Sequence, residues 1–440
     1  MGQRYAGSKF FWVPSQRNSF TIDQAAQCMR AIYADDRISS TDKRAVAQKA
    51  LEAQWRLCLM KASLEVEQRA LGPRAAVNHR YDCISFPGGG AKGVLFPAIL
   101  EVYDDQVKAA RVLTGSSAGS ACAAYVASGM SAQQLDATLE KLPPITFLGN
   151  QPTQGSRFKG FKPVEPSLLQ HFSSVIANKV EGITGKVAGA NPTRPVELYD
   201  DGYDMLLRIN DTCLQSIRHQ LSRFPASPNN AELVRRLRED DLHEITFSDM
   251  RQLHQMYPQT FKDLVITGSD VEAQSQVSFC ADTHPDMSVA LACRISSAIN
   301  PLFKSVEVQG RLYNDGGFTN NHSVPADNPA VGKTLMFAFD NEDAAHQAVF
   351  NHRHPSSKLL VGVLANAVTQ HDLEAGEKAS ADHLYEHGPH VRVIKHPGVG
   401  TFDFHVDKPT LMMAQNEAII NAVKERMLYA TQHLMPGLEG

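Results

Sequence analysis

The sequence has no C-x-x-C pair among its seven cysteines, at positions 28, 58, 83, 122, 213, 280 and 293. This spacing argues against a zinc site, and the odd count argues against a closed disulfide framework. Several cysteines have apolar neighbours, such as Cys122 between Ala121 and Ala123. We therefore expect small, buried hydrophobic side chains in a reducing compartment.

Long hydrophobic runs are also missing. No stretch approaches the roughly 18 apolar residues of a membrane span. Residues 1–5 are followed by no apolar run of signal-peptide length. The sequence therefore predicts a protein that stays in the cytoplasm or is exported without a signal peptide. Any membrane association is expected to be peripheral.

A strong charge of either sign is lacking as well. The formal net charge is −4, which argues against bulk attraction to nucleic acid, so we expect no nucleic-acid partner. Hydrophobic residues make up 43% of the 440 residues. A chain of this size and composition can bury a large core without a metal or disulfide.

The chain divides into three regions by pattern. Residues 1–80 are predicted to be a helical N-terminal extension, because apolar residues recur at steps of three and four before Gly72 and Pro73. Packing on a catalytic body is the favoured interpretation, with a partner-binding module as the alternative. Residues 81–435 form the predicted catalytic domain. Within it, residues 145–260 are rich in Gly, Pro and Asn and indicate a lid-like insertion with helical pieces.

Two strand–loop–helix units follow each other after residue 80. Strands are predicted at 81–86 and 111–114, with helices at 94–103 and 120–127. Such tandem units favour a mostly parallel sheet with helices on its faces. Further predicted elements are strands at 264–267, 277–279, 306–308, 311–313, 335–339 and 391–394, and helices at 289–298 and about 409–434.

The motif G-x-S-x-G occurs at residues 115–119, between a predicted strand and a predicted helix. This context places the serine, Ser117, on a tight turn with its hydroxyl exposed. Gly115 and Gly119 let neighbouring backbone approach closely. The helix N-terminus favours developing negative charge, and the N–H group of Ala118 is a candidate oxyanion donor. The pattern predicts a serine nucleophile.

A glycine-rich loop at residues 88–93 reads GGGAKG. The N–H groups of Gly88, Gly89 and Gly90 can form a concavity for an anion, and beside the turn they would hold an oxyanion. Lys92 adds a positive charge, either for a phosphate headgroup or as support for the loop. A solvated surface lysine is the alternative.

The same loop also fits the dinucleotide fingerprint G-x-G-x-x-G. Asp104 and Asp105 follow Gly93 too soon to be the acidic residue of that fingerprint. A Walker loop would need Ser or Thr in place of Gly93. Nucleotide binding is therefore the less favoured interpretation.

Asp315 follows a predicted strand and precedes Gly316 and Gly317. An Asp-Gly pair by itself is typical of an ordinary hairpin turn. Together with the glycine-rich loop and the serine turn, it indicates a catalytic carboxylate.

The glycine-rich loop, G-x-S-x-G and Asp-Gly-Gly, in this order, resemble the patatin-like phospholipase family. Residues 264–270, 295–301 and 320–321 are similar to segments of the same family. Residues 400–404 resemble its bacterial effector-type members. The resemblance extends over about residues 81–430 apart from the 145–260 insertion.

The resemblance implies a three-layer α/β/α fold with a mostly parallel central sheet. It implies a serine lipid acyl hydrolase of phospholipase A or lysophospholipase type, with Ser117 as nucleophile and Asp315 as general base. Gly88, Gly89, Gly90 and Ala118 would form the oxyanion hole. No metal or other cofactor is expected. The implied partners are a phospholipid membrane surface and a protein activator, and a role as a secreted bacterial effector is a further implication.

Alternatives stay open at this stage. A Ser–Asp–His triad would recruit His390, His396 or His405, of which His405 is the best placed in sequence. His322, only seven residues after Asp315, is interpreted as a surface or loop-bracing residue.

A catalytically silent lipid- or nucleotide-binding protein on the same fold is the alternative from a different functional class. The alternating cations and aromatics at 157–162 are typical of either a membrane interface or an exposed loop.

Overall fold

The computed structural model describes most of the chain between residues 81 and 429. The described residues are 34, 43, 81–147, 158, 160–164, 200–224, 231–240, 243–299, 302–322, 324, 333–339, 370–395, 399–401, 403–404, 406 and 408–429. The chain divides into two compact units, one of residues 1–79 and 419–440 and one of residues 80–418. The predicted helical extension at 1–80 lies outside the described residues, apart from Ala34 and Lys43, which are helical. The extension, the catalytic-domain bounds and the lid-like role of 145–260 stay predictions.

Unit 80–418 contains one sheet with a parallel centre. Its strands, in the described residues, are β1 (Cys83–Phe86), β2 (Val112–Ser116), β3 (Pro163–Val164), β4 (Asp263–Asp270), β5 (Ser275–Phe279), β6 (Ser305–Val308), β7 (Arg311–Asp315), β8 (Thr334–Phe339) and β9 (Val391–Ile394). Strands run in the order β3-β6-β7-β4-β2-β1-β8-β9, with β5 also paired to β4. The pairs among β4, β2, β1, β8 and β9 are parallel. On the other side, β5, β7, β6 and β3 add antiparallel pairs.

The described residues also form helices. They are α1 (Phe96–Val102), α2 (Asp104–Ala109), α3 (Ala118–Ala127), α4 (Ala132–Lys141), α5 (Tyr203–Leu221), α6 (Ala231–Glu239), α7 (Phe247–Met256), α8 (Val289–Ser296), α9 (Leu373–Glu386) and α10 (Lys408–Tyr429). Short 3-10 helices lie at Gly90–Leu95, Pro144–Phe147, Gly316–Phe318 and Gly388–His390.

The central strands are buried on both faces. Every residue of β1, β2, β4 and β8 is buried, which is the pattern of a parallel sheet between two layers of helices. The helix α3 packs on β1, β2 and β4, whereas α8 packs on β4 and β7. Apolar runs such as LMFAF in β8 supply the core. The expected three-layer α/β/α fold with a mostly parallel sheet is confirmed.

Part of the 145–260 region packs on the body of unit 80–418. The helix α5 contacts both α3 and α8, and buries Leu206, Ile209 and Ile217. Residues 157 and 159 lie outside the described residues, but Phe158 is buried edge-on against Tyr203. These contacts argue against a fully exposed loop at Phe158.

The five described cysteines are buried and unpaired with each other, as predicted, whereas Cys28 and Cys58 lie outside the described residues. In the part of the chain that the structure describes, no helix is both long and apolar enough to span a bilayer.

The turn between β2 and α3 depends on a close backbone approach. A Cβ atom on Gly119 would lie 2.3 Å from the Phe86 carbonyl oxygen, and one on Gly115 would lie 2.3 Å from the Gly119 carbonyl oxygen. Because backbone rather than a flexible side chain occupies this space, a methyl group can be accommodated only by moving a strand. The start of α3 is therefore in contact with the end of β1.

We predict that Gly119→Ala lowers the free energy of unfolding by about 1–3 kcal/mol, the usual cost of overpacking. Urea denaturation measures this loss. Gly388→Ala is the matched control, because nothing lies within 4 Å of a Cβ atom at Gly388. Equal midpoints for the two variants would contradict the close approach.

Candidate active site

Ser117 occupies the tight turn between β2 and α3. Its backbone has φ 50° and ψ −125°, a conformation that residues other than glycine rarely adopt. Such a residue costs on the order of 1–3 kcal/mol and persists only where its surroundings hold it. The tight turn that G-x-S-x-G predicted is confirmed, whereas the predicted exposure of the hydroxyl is wrong, because Ser117 is buried.

Hydrogen bonds from both sides hold Ser117. Its N–H group donates to Ser296 Oγ at 2.8 Å, from the C-terminal end of α8. Its carbonyl oxygen accepts from the Ser120 N–H group at 2.9 Å. The end of α8 therefore positions the backbone of the turn. Sequence reasoning gave Ser296 no such role, although residues 295–301 were among the family-like segments.

Strand register brings Asp315 to the same place. Ser116 at the end of β2 is level with Thr267 of β4. On the other side of β4, Asp315 is level with Gly268. Ser116 and Asp315 thus flank adjacent positions of β4, and because neighbouring strands lie about 4.8 Å apart, side chains from the two outer strands can reach each other beyond the end of β2. Residues far apart in sequence thus meet across a single strand.

Ser117 and Asp315 form a direct hydrogen bond. Ser117 Oγ donates to Asp315 Oδ2 at 2.7 Å, and the other carboxyl oxygen, Oδ1, accepts from the Gly317 N–H group at 2.8 Å. Both residues are 3% exposed. Burial raises the pKa of Asp315 to about 7, while the bonds from Ser117 and Gly317 act in the opposite direction. The carboxyl group is therefore balanced between its two protonation states near neutral pH.

The glycine-rich loop lies beside Ser117. A Cβ atom on Gly88 would be 2.7 Å from Ser117 Cβ, so only glycine permits this approach. The Gly88 N–H group donates to Asn321 Oδ1 at 2.9 Å, and Asn321 Nδ2 donates back to the Gly88 carbonyl at 3.2 Å.

The hydrogen bond from the Gly88 N–H group to Asn321 changes the role expected for Gly88. Because its N–H group is engaged by Asn321, Gly88 anchors the loop in this structure instead of offering a free donor. Within the described residues, the N–H groups of Gly89, Gly90 and Ala118 have no hydrogen-bond partner. These three remain candidate oxyanion donors.

Asn321 is itself held by α9. Its N–H group donates to Ser380 Oγ at 2.7 Å. His383 Nδ1 lies 2.7 Å from the carbonyl oxygen of His322, the next residue. The segment after Asp315 is thus connected to both the glycine-rich loop and α9. The sequence pointed to residues 320–321 only as family-like and could not show this link.

His322 is buried, so the surface interpretation is wrong. Neither of its ring nitrogens has a hydrogen-bond partner. Burial, followed by the charge of nearby His383, lowers the pKa of His322 to about 3, so the ring stays neutral. Its backbone N–H group donates to Asn320 Oδ1 at 2.9 Å. His322 therefore packs within the loop rather than acting on Asp315 by a hydrogen bond.

Lys92 is also buried, which rules out a solvated surface lysine. Its Nζ atom lies 5.7 Å from the centre of the Phe339 ring, at the end of β8. A cation over an aromatic face is attractive. The structure therefore favours the loop-supporting role of Lys92 over headgroup binding.

The described residues provide no third member of a triad. His390 lies beside Tyr81, whose hydroxyl oxygen is 3.2 Å from His390 Nδ1. His396 and His405 lie outside the described residues. Among the described residues, the hydrogen bonds of the Asp315 side chain go to Ser117 and Gly317.

An apolar pocket opens at Ser117. Its volume is about 710 Å³ with its open mouth included. One wall is the face of α3 that carries Ala118, Ala121, Cys122 and Tyr125. The other described lining residues are Gly90, Gly93, Val94, Phe96, Ser117, Leu135, Leu139, Pro144, Phe147, Met205, Ile209, Ser297, Ile299, Phe303 and Phe404. A slender apolar group attached near Ser117 could occupy this pocket.

No group of three or more His, Cys, Asp or Glu residues suited to a metal ion occurs in the described part of the chain.

Comparison with protein families identifies the chain. The family described as patatin-like phospholipase matches residues 84–328, more than half of the sequence. The chain belongs to the patatin-like phospholipase family. The expected resemblance is therefore confirmed. Curated proteins provide no match.

Solved structures of two bacterial proteins are among the similar folds. Full-length ExoU in complex with SpcU, from the type III secretion system of Pseudomonas aeruginosa, has a TM-score of 0.45 and 19% identity. That match covers 79% of this chain and 53% of ExoU, so this chain spans about half the length of ExoU. VipD from Legionella pneumophila has a TM-score of 0.43 and 17% identity, with 80% of this chain and 67% of VipD covered.

We predict that Asp315→Asn stabilises the fold above about pH 7. A buried carboxyl with a raised pKa favours the folded state most below its unfolded pKa of about 3.9, and this advantage is lost as pH rises through about 7. Asparagine does not ionise, so the stability of the variant does not fall as the pH rises through this range.

The measurement is the thermal midpoint of both proteins from about pH 4 to about pH 8.5. The free energy of unfolding of the variant, relative to that of wild type, should increase with pH by on the order of a few kcal/mol, and the difference between the two thermal midpoints should increase with it. A difference that does not change with pH would show that burial does not raise the pKa of Asp315.

Proposed function

We propose that this protein is a serine lipid acyl hydrolase of phospholipase A or lysophospholipase type, acting through a Ser117–Asp315 dyad. The observation that carries the proposal is the 2.7 Å hydrogen bond from Ser117 Oγ to Asp315 Oδ2, at the opening of an apolar pocket. Membership of the patatin-like phospholipase family supports the same class of reaction.

The reaction begins with proton transfer. The Asp315 carboxylate accepts the Ser117 hydroxyl proton while Oγ attacks the ester carbonyl carbon. The tetrahedral intermediate collapses, and Asp315 returns the proton to the leaving alcohol, here a lysophospholipid or glycerophospho compound. Water then attacks the acyl-serine and gives its proton to Asp315, and the fatty acid leaves as Ser117 recovers its proton.

The oxyanion is held by backbone amides in this mechanism. The N–H groups of Gly89, Gly90 and Ala118 are unpaired in the described structure, and Gly90 and Ala118 also line the pocket. Preorganised donors of this kind commonly contribute 10²–10³ in rate, about 3–4 kcal/mol. Asn321 contributes indirectly, because it fixes Gly88 and hence the loop.

The apolar pocket supports an acyl chain as the part of the substrate that is bound. Its described lining residues are mostly aliphatic or aromatic, which suits hydrocarbon better than a charged headgroup. In this proposal the headgroup stays outside, at the surface of a phospholipid membrane. Membrane association would then be peripheral.

A role as a bacterial effector is part of the proposal. ExoU is described as a type III effector and has been solved with SpcU bound. By analogy, a protein partner, either an activator or a chaperone, would bind this chain. Release of fatty acid from vesicles with and without eukaryotic cell lysate tests the activator: an increase of more than tenfold supports it, and equal rates argue against it.

We predict that Ser117→Ala and Asp315→Ala each abolish fatty-acid release from mixed phospholipid vesicles. The serine variant lacks the attacking oxygen, and the aspartate variant lacks the proton acceptor, so each should lose at least about 10³-fold in rate. Mass spectrometry of the released acids measures both effects.

Ser120→Ala is the matched control for the serine substitution. Ser120 Oγ binds the Ser117 carbonyl but does not touch Asp315 within the described contacts, so this variant should keep most of the rate. Release that persists in Ser117→Ala would exclude the dyad. No release from any lipid with wild type would instead favour a catalytically silent lipid-binding protein.

We further predict that kcat/KM rises with pH through about 7 and then levels off, since only the ionised Asp315 can accept the serine proton. The change should be about tenfold for each pH unit below the midpoint. The profile is measured as initial rates with a soluble ester whose leaving group does not change its protonation state over this pH range. A midpoint near the usual carboxyl pKa of about 4 would contradict the raised pKa of the base.

A further inference from the structure

The glycine-rich loop is fixed on both sides by residues that come late in the chain. At its start, Asn321 makes two hydrogen bonds to the loop backbone. Further along, the Ala91 N–H group donates to the Thr401 carbonyl oxygen at 2.9 Å. Gly89 and Gly90 lie between these two contacts, and within the described residues their N–H groups have no hydrogen-bond partner. Two candidate oxyanion donors are therefore held in place from both sides.

Thr401 lies directly against Gly90. The backbone of Gly90 has a φ of 56°, in the left-handed region that favours glycine. A Cβ atom at this position would overlap the Thr401 carbonyl oxygen and would lie 3.0 Å from Thr401 Cγ2. Gly90 also lines the apolar pocket together with Ser117. The position of Thr401 therefore limits where a backbone amide beside the nucleophile can lie.

Asp403 holds the turn that contains Thr401. Its Oδ2 atom accepts from the Gly400 N–H group at 2.6 Å, and its own N–H group donates to the Gly400 carbonyl oxygen at 3.3 Å. Aspartate and asparagine side chains commonly bind backbone three residues earlier in this way. The turn is anchored on both sides, because Val399 and Phe404 are buried, and Phe404 lines the pocket. The sequence gave this segment no role in the site.

We propose that Asp403 is a positioning residue of the oxyanion hole, acting through Thr401 on the backbone of Gly90. The inference rests on the proposed acyl-hydrolase function and adds to it a residue that makes no described contact with Ser117. Backbone amides stabilise an oxyanion only where they are held at the place in which its charge develops. Loss of the Asp403 carboxylate should therefore lower kcat more than it changes KM.

The test uses two substrates that differ only at the atom that the donors would bind. Phenyl octanoate and its thiono counterpart, in which sulfur replaces the carbonyl oxygen, release the same phenol. Sulfur is a weak hydrogen-bond acceptor, so the thionoester gains little from the amides. The ratio of kcat/KM for ester over thionoester thus reports the oxyanion hole separately from the stability of the fold.

Asp403→Ala removes the acceptor for the Gly400 N–H group. A displacement of about 1 Å in a catalytic group can cost on the order of 10²-fold, so we expect kcat for the ester to fall by about tenfold to 100-fold. The ratio of ester to thionoester should fall by about the same factor. Asp403→Asn keeps an acceptor oxygen and should hold the ratio within about threefold of wild type. Asp403→Glu, whose carboxylate is displaced by one methylene group, should lower it.

Thr246→Ala is the control for an ordinary loss of stability. Thr246 Oγ1 accepts from the Asp249 N–H group at 3.1 Å at the start of α7, and α7 contributes no residue to the described pocket lining. This variant should lower the thermal midpoint and leave the ratio unchanged. A ratio that stays constant in Asp403→Ala, or that falls as far in Asp403→Asn or Thr246→Ala, would overturn the inference and leave the dyad intact.

Hydrogen exchange at the Ala91 amide separates this inference from the proposed function. The amide is protected while it is bonded to Thr401. Mass spectrometry with residue-level fragmentation should show exchange at least about tenfold faster in Asp403→Ala and unchanged exchange in Asp403→Asn. That result supports the positioning role of Asp403 even if wild type hydrolyses no ester. Equal exchange in all three proteins overturns it whatever the activity.

Discussion

The register of β4 with its two neighbours is the constraint on which the candidate site depends. The chain places Ser117 one residue beyond β2 and Asp315 at the end of β7, and β4 lies between them. A slip of one residue in either pairing would turn the side chains to the other face of the sheet. Both faces of β4 are buried, so such a slip would exchange side chains of different size between two packed layers and disturb the packing of both.

The local patterns of the sequence predicted the parts of the site that are continuous in the chain. G-x-S-x-G at 115–119 indicated the strained turn, since few other sequences permit the contact between Gly119 and the Phe86 carbonyl. The strands around it were predictable from their apolar runs. Helices α4, α7 and α9 were missed, although Ser131 and Thr246 form capping boxes with Gln134 and Asp249. Their mixed polar composition concealed that signal.

Contacts between distant residues could not be predicted from sequence. Asn321 and Gly88 are 233 residues apart in the sequence, and only the fold shows that two hydrogen bonds join them. Arg294 is a second example, because a fully buried arginine has no sequence signature. It donates to the carbonyl oxygens of Asp201 and Lys304 and lies 4.9 Å from the Phe303 ring centre. In this way α8 is tied to the chain segments beside the pocket, and α8 also holds Ser117 through Ser296.

Burial explains how a carboxylate can do the work of a histidine in the proposed reaction. A general base is most effective when its pKa lies near the working pH, and an exposed aspartate, near 4, is too weak. Burial raises the pKa of Asp315 to about 7, close to the value of about 6.5 for free imidazole. The same burial makes the ionised form costly, so the fold must supply the Gly317 amide and the Ser117 hydroxyl as donors. Among the described residues these two donors supply the hydrogen bonds of the Asp315 carboxylate, so the proposed reaction is written with the serine and the carboxylate and without a third residue.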